Sequence, residues 1–229
     1  MPARSLERLL AAASLGLVLM VILASAAIRL SDQDLGIYLP VVRGIHRASA
    51  SLATLLILAA GWLAWRSGRR SLATAIVVVT AGLSILGAAT GVSPPLPAQA
   101  GNLLGGLLLA ALLAWLLGTR ERPQLLPWAL VALQACLGAW IALFADELWT
   151  PVLLTHALLG VSLAAGAAWL VLRTRGGPRA LPPVLLAIAV PASGAASALL
   201  GLPLGATLAH SASVALLIGA AAYLHARLA

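Results

Sequence analysis

"PAQAGNLLGGLLLAALLAW", residues 97–115, opens at a proline and runs into an apolar segment with one amide side chain, Asn102, near its start. Residues 151–169 read "PVLLTHALLGVSLAAGAAW". Pro151 answers Pro97, Trp169 answers Trp115, and His156 stands where Asn102 stood. The same offset of 54 residues leads forward from His156 to His210, and a step of 56 leads back from Asn102 to His46. Four marked positions in one phase predict four hairpin repeats of about 54 residues, each crossing an apolar layer and returning.

Pro40, Pro97, Pro151 and Pro203 precede the marked residues by five to seven positions. Proline suits the first turn of a helix, where its missing N–H has no partner to lose. At about 1.5 Å per residue, each marked residue then lies one to two turns into its return helix. Three histidines and one asparagine share a depth.

The layer they cross is a membrane. The chain is 62% hydrophobic and 9% charged, with mean hydropathy +1.06, whereas soluble domains carry roughly 25% charged residues. Apolar runs of about 20 residues, long enough to cross a hydrocarbon core, fall near 8–28, 44–65, 71–91, 101–118, 126–145, 151–172, 181–200 and 204–225. The expectation is an all-α polytopic membrane protein with eight transmembrane helices in two four-helix halves, 1–120 and 121–229. The first run, after Arg4 and Arg8, is long for a signal peptide, and its removal would leave seven spans and spoil the charge alternation. It is read as helix one.

All fourteen basic residues are arginine, and eleven fall at the amino terminus, in alternate loops and at Arg227. Arg29, Arg43 and Arg47 lie on the other side, with Asp32, Asp34, Asp146 and Glu147. The positive-inside rule puts both termini in the cytoplasm of a protein of the cytoplasmic (inner) membrane. The net charge of +8 belongs to loops facing anionic lipid and does not imply nucleic-acid binding. Cys136 is the only cysteine, so no intramolecular disulfide forms.

Ionisable groups in membrane spans are rare and usually mark function. Histidines at one depth on different helices can face each other across a haem, each bonding the iron through a ring nitrogen. Zinc more often recruits a third or fourth ligand, and a proton relay usually includes an acid. No acid lies in these spans. Small residues, Gly160, Ala164, Gly166, Ser211 and Ala212, leave room for helices to pack around a flat ligand. His225, fifteen residues beyond His210, reads as an interfacial residue. Trp115, Trp169 and Tyr223 read as an aromatic belt. Thr80 and Gln134, equivalent in the repeat, are weak polar marks at mid-span, of the kind a small-solute transporter would strengthen.

On helix count, orientation and the strings "GIHR" (44–47), "LLTHALLG" (153–160) and "TLAHSAS" (207–213), the chain resembles the heme A synthase family over nearly its whole length. The resemblance implies oxidation of the haem O methyl group to the formyl of haem A for terminal oxidase biogenesis. It implies haem b held by His156 and His210, with the substrate haem, haem O or haem A, facing His46 in the N-terminal half. Arg47 would then neutralise a haem propionate, and haem O synthase or oxidase subunits would be partners. Three positions depart from the family pattern: the expected helix-four histidine is Asn102, the expected glutamate three residues before His46 is Arg43, and residues 29–43 lack a cysteine pair. These departures keep open a non-catalytic reading, either a b-type membrane cytochrome or a haem-handling assembly partner of a terminal oxidase.

The orientation is tested by single cysteines at positions 146 and 176 in a background without Cys136. A membrane-impermeant reagent applied to spheroplasts should label the first and spare the second, and the reverse pattern inverts the topology.

Overall fold

The computed structural model describes residues 3–30, 38–90, 94–118, 125–143, 150–175, 181–200 and 204–227. Among them are eight helices and no strand: α1 (Ala3–Leu30), α2 (Leu39–Arg66), α3 (Arg70–Thr90), α4 (Leu96–Leu116), α5 (Leu125–Leu143), α6 (Thr150–Arg175), α7 (Leu181–Leu199) and α8 (Leu204–Arg227). Six of them, α1 to α4, α6 and α8, are long and apolar enough to cross a membrane. The chain is a multi-pass, all-helical membrane protein. In α5 and α7 the described apolar stretches are shorter, Val131–Ile141 and Val184–Leu199.

The return helices begin earlier than the apolar runs suggest. α2 starts at Leu39 and α4 at Leu96, which puts Pro40 and Pro97 inside the first turn. Pro151 is likewise the second residue of α6. A proline there withholds only an N–H that the helix start leaves unpaired, so the helix extends back through it. Pro203 lies outside the described residues, as do Asp32, Asp34, Arg120, Arg122, Asp146, Glu147 and Arg179. The side chains of Arg173, Arg175, Tyr223, His225 and Arg227 do as well.

The chain divides into two compact units, Met1–Pro123 with Ile218–Ala229, and Gln124–Leu217. In the first unit α1 packs on α2 and α4, and α3 packs on the same two, which closes a ring of four antiparallel helices. Its interior is built from small side chains: Ala53, Ala60, Ala64, Ala110 and Ala114 are all buried, and so is Leu113. Large apolar side chains point outward, among them Leu55, Trp62, Val78 and Ile85. Lipid is as apolar as leucine, so nothing drives leucine inward, and close backbone approach through small residues holds the helices together instead. In the second unit α6 packs against both α5 and α7.

One end of the first unit is tied by charge. The α2–α3 turn passes through Gly68 at φ +91°, a left-handed conformation that a side chain disfavours. This turn delivers Ser67 and Arg69 to Glu7, which is only 4% exposed. Ser67 Oγ donates to Glu7 Oε2 at 2.9 Å, and the Arg69 guanidinium pairs with Oε1 at 3.4 Å. Arg69 also donates to the carbonyls of Leu116 (2.6 Å) and Trp115 (3.1 Å) at the end of α4. A cation at a helix C-terminus bonds the last carbonyls and complements the helix dipole. One side chain thus joins α1, the α2–α3 turn and α4.

Trp115 corrects the aromatic belt. It is buried rather than facing lipid, because α4 is flanked by α1 and α3 and its end is drawn in by Arg69. Trp169 is exposed, as a belt residue should be.

Arg69→Met should lower stability by about 3–5 kcal/mol, the cost of leaving a buried carboxylate unpaired. Gly68→Ala should lower it by about 1–2 kcal/mol, the cost of a left-handed alanine. Thermal unfolding in detergent checks both, and an Arg69→Met midpoint equal to wild type refutes the clamp.

Candidate functional site: an imidazole pair and an arginine-lined cavity

In the second unit, α6 and α8 bring His156 and His210 together with ring centroids 6.3 Å apart and ring planes at 78°. Each ring lies against a glycine of the helix before its own. A Cβ on Gly138 of α5 would meet His156 Cε1 at 3.0 Å, and one on Gly194 of α7 would meet His210 Cε1 at the same distance. A side chain at either position would crowd the ring, which would have to give by a few tenths of an ångström. Two hairpins thus use one device: glycine on the outgoing helix, histidine on the returning one.

The ring nitrogens differ in their partners. His210 Nδ1 lies 3.1 Å from the Val190 carbonyl and 3.5 Å from Ser193 Oγ. A carbonyl only accepts, so Nδ1 carries the proton and donates to it, which leaves Nε2 with a free lone pair. The bond also fixes the ring's orientation, as second-shell carbonyls do for metal-binding histidines. Ser197 Oγ and Thr207 Oγ1, 2.9 Å apart, join the same two helices one turn away.

His156 is held by Gln134. The Gln134 amide nitrogen donates to the His156 carbonyl at 3.0 Å and lies 3.5 Å from His156 Nε2. Gly160 makes this possible, since a Cβ there would sit 2.7 Å from the same amide nitrogen. Two polar atoms at this spot are buried without a hydrogen-bond partner: Gln134 Oε1 and His156 Nδ1. Burying a polar group unpaired costs about 1–3 kcal/mol. An orphaned buried nitrogen beside a second imidazole calls for an explanation, and a bound ligand is one.

A ring nitrogen lies about 1.1 Å from the imidazole centre, and metal–nitrogen bonds are about 2.0–2.1 Å, so two rings bonding one ion from opposite sides place their centroids a little over 6 Å apart. The observed 6.3 Å matches that spacing. An edge-to-face aromatic contact spans about 4.5–7 Å as well, but it gives no use to an orphaned ring nitrogen. Among the described residues no three His, Cys, Asp or Glu side chains converge. A pair of nitrogens alone would suit a metal that brings its own equatorial ligands, which is the donor set a haem would use.

The other two marked positions, His46 and Asn102, both lie in the first unit. They line a cavity of about 630 Å³ between α1, α2, α3 and α4, at the end away from Glu7. This is within the range of about 300–1,000 Å³ typical of small-molecule and cofactor sites. Arg29, Arg43 and Arg47 line the cavity with them, and its floor is apolar, with Val18, Ile22, Ile57 and Leu109. Arg29 Nη1 donates to Ser25 Oγ at 3.0 Å. Gln99 and Thr80 also face the cavity, with the Gln99 amide donating to the Pro94 carbonyl (3.0 Å) and the Thr80 hydroxyl to Ile76 O (2.7 Å).

The small residues named from sequence sort unevenly. Ala164 is buried, Ser211 and Ala212 are half-buried, and Gly166 faces outward with nothing near it. Gly138, Gly194 and Val190 escaped the sequence reading, and Arg29 entered it only as a charge on the outer side. The two glycines fall 18 and 16 residues before their histidines, a spacing that could have marked them. No family model matches the chain, and no curated protein matches it in sequence.

Proposed function

We propose that this is a haem protein of the heme A synthase type. In this reading it resides in the cytoplasmic membrane with eight spans in four hairpin repeats, and both termini are cytoplasmic. His156 and His210 would hold a haem b in the C-terminal half, and the N-terminal cavity would take haem O for oxidation of its methyl group to the formyl of haem A. The observation that carries the reading is the imidazole pair at 6.3 Å with an orphaned nitrogen on one ring.

When bound, haem b would supply one-electron transfer. The chain's own residues do the rest. Val190 O holds the His210 tautomer, Gln134 fixes the His156 backbone, and Gly138 and Gly194 clear the space in which the rings stand. In the N-terminal cavity His46 presents one imidazole and Asn102 an amide, which is a poor iron ligand, so a haem there would keep one face open for chemistry. Arg47, at the exposed edge of the cavity, suits a propionate.

A second reading is a b-type cytochrome or haem-handling assembly partner of a terminal oxidase. Arg43 favours it, because a guanidinium lines the cavity where the family carries a carboxylate.

His156→Ala and His210→Ala should each lose most of the low-spin haem b signal, and the double variant should be little worse, since both act on one bound group. His225→Ala should keep the signal. Retention in both single variants with loss in His225→Ala refutes the pair. In the N-terminal half, Asn102→His should turn an open-faced haem into a six-coordinate, low-spin one. A folded variant with an unchanged spectrum means that no haem occupies that cavity.

A further inference from the structure

The end of the first unit that buries Glu7 carries more positive charge than the clamp there uses. Arg66 ends α2, Arg70 begins α3, and Arg4 and Arg8 lie one turn apart near the start of α1. All four are exposed. The bonds from Ser67 and Arg69 to Glu7 draw the start of α1 against the α2–α3 turn, so the fold gathers both arginine pairs around one buried acid. Arg69 already neutralises that acid, and among the described residues there is no other. Like charges four residues apart on a helix repel, and no described carboxylate is left to offset these.

Snorkelling accounts for an arginine at a helix end, but it leaves two features without a use. The Arg70 guanidinium lies over the Trp65 ring, 5.9 Å from its centroid. Stacking occupies the face of the guanidinium and not its in-plane N–H groups, which are the ones that grip a phosphate. The second feature is the side of α2 that leads to Arg66, where Leu55, Leu58, Trp62 and Trp65 are all exposed. From Leu55 to Arg66 this strip runs about 16 Å along the helix, close to half of the roughly 30 Å hydrocarbon core. Charged forks above an apolar strip one leaflet deep match a phospholipid: a soluble phosphate compound would use the arginines and leave the strip idle. We propose that this end of the first unit binds an anionic glycerophospholipid with two phosphates. Arg66 and Arg70 hold one phosphate, Arg4 and Arg8 hold the other, and acyl chain lies along Leu55, Leu58 and Trp62. The site is independent of any haem and of the cavity at the opposite end.

The test is native mass spectrometry of the full-length chain in detergent, titrated with cardiolipin, which has two phosphates, phosphatidylglycerol, which has one, and phosphatidylcholine, which has no net charge. Wild type should hold cardiolipin about tenfold more tightly than phosphatidylglycerol and phosphatidylcholine least of all; equal retention of the first two overturns the two-phosphate assignment. R66Q/R70Q should weaken cardiolipin about tenfold, and Trp65→Leu, which keeps every charge, should weaken it severalfold. If neither does, the site falls. R173Q/R175Q removes the same charge at the end of α6 and should leave cardiolipin affinity within about twofold, since the four arginines stay in place. If this control weakens cardiolipin as much as R66Q/R70Q, net charge alone attracts the lipid and the proposal is overturned. Inorganic pyrophosphate supplies two phosphates without acyl chains and should not displace cardiolipin at equal concentration; displacement gives the arginines to a soluble phosphate and contradicts the assignment. Should the glutamine pair fail to insert, R66K/R70K keeps the charge without the fork and should weaken cardiolipin severalfold, equal affinity being the contrary result.

Discussion

An imidazole inside a membrane must find partners for two nitrogens where no water offers them, and this constraint organises the C-terminal unit. His210 meets half of it with the Val190 carbonyl. That bond is available only because Gly194, one turn further along α7, lets the ring approach the helix backbone. His156 meets less of it: Gln134 secures the backbone, but Nδ1 stays orphaned. Unpaired hydrogen-bonding capacity in hydrocarbon is costly. A haem held between the two rings, as proposed, would take it up.

The N-terminal unit spends its polar groups differently. At one end Arg69 neutralises Glu7 and caps α4, a closed set in which each charge has its partner. At the other end three guanidiniums face a cavity with no described acid among them. One end holds the helices together and the other is left charged. The two units thus differ in chemistry: an imidazole pair against glycine in one, a histidine and an asparagine under a cationic rim in the other.

The helices were legible in the sequence because membrane helices announce themselves in one dimension, by apolar length, by proline at the first turn and by a histidine at fixed phase. Pro40 and Pro97 fall where that logic puts them, and His156 meets His210 as their common depth suggested. What escaped depended on neighbours. Trp115 looked like a belt residue because its distance along α4 gives its depth but not which helices cover it. Gly138 and Gly194 look like any of the 21 glycines until a ring is seen resting on them. Gln134 registered only as an amide at mid-span, since its role comes from reaching across to α6 through the gap at Gly160. Arg29 was read as one of three arginines on the wrong side of the charge rule, and the cavity that gathers them is a property of the closed ring of α1 to α4.

The central claim is that His156 and His210 hold a haem between them. The chain purified from its native membrane, with its haems extracted, separated and quantified, and its reduced and oxidised spectra recorded, tests it most directly. The account predicts one tightly held haem b per chain with a low-spin, six-coordinate spectrum, and any haem O or haem A in addition to it. A folded protein that carries no haem b, or carries it only in a high-spin form, contradicts the account.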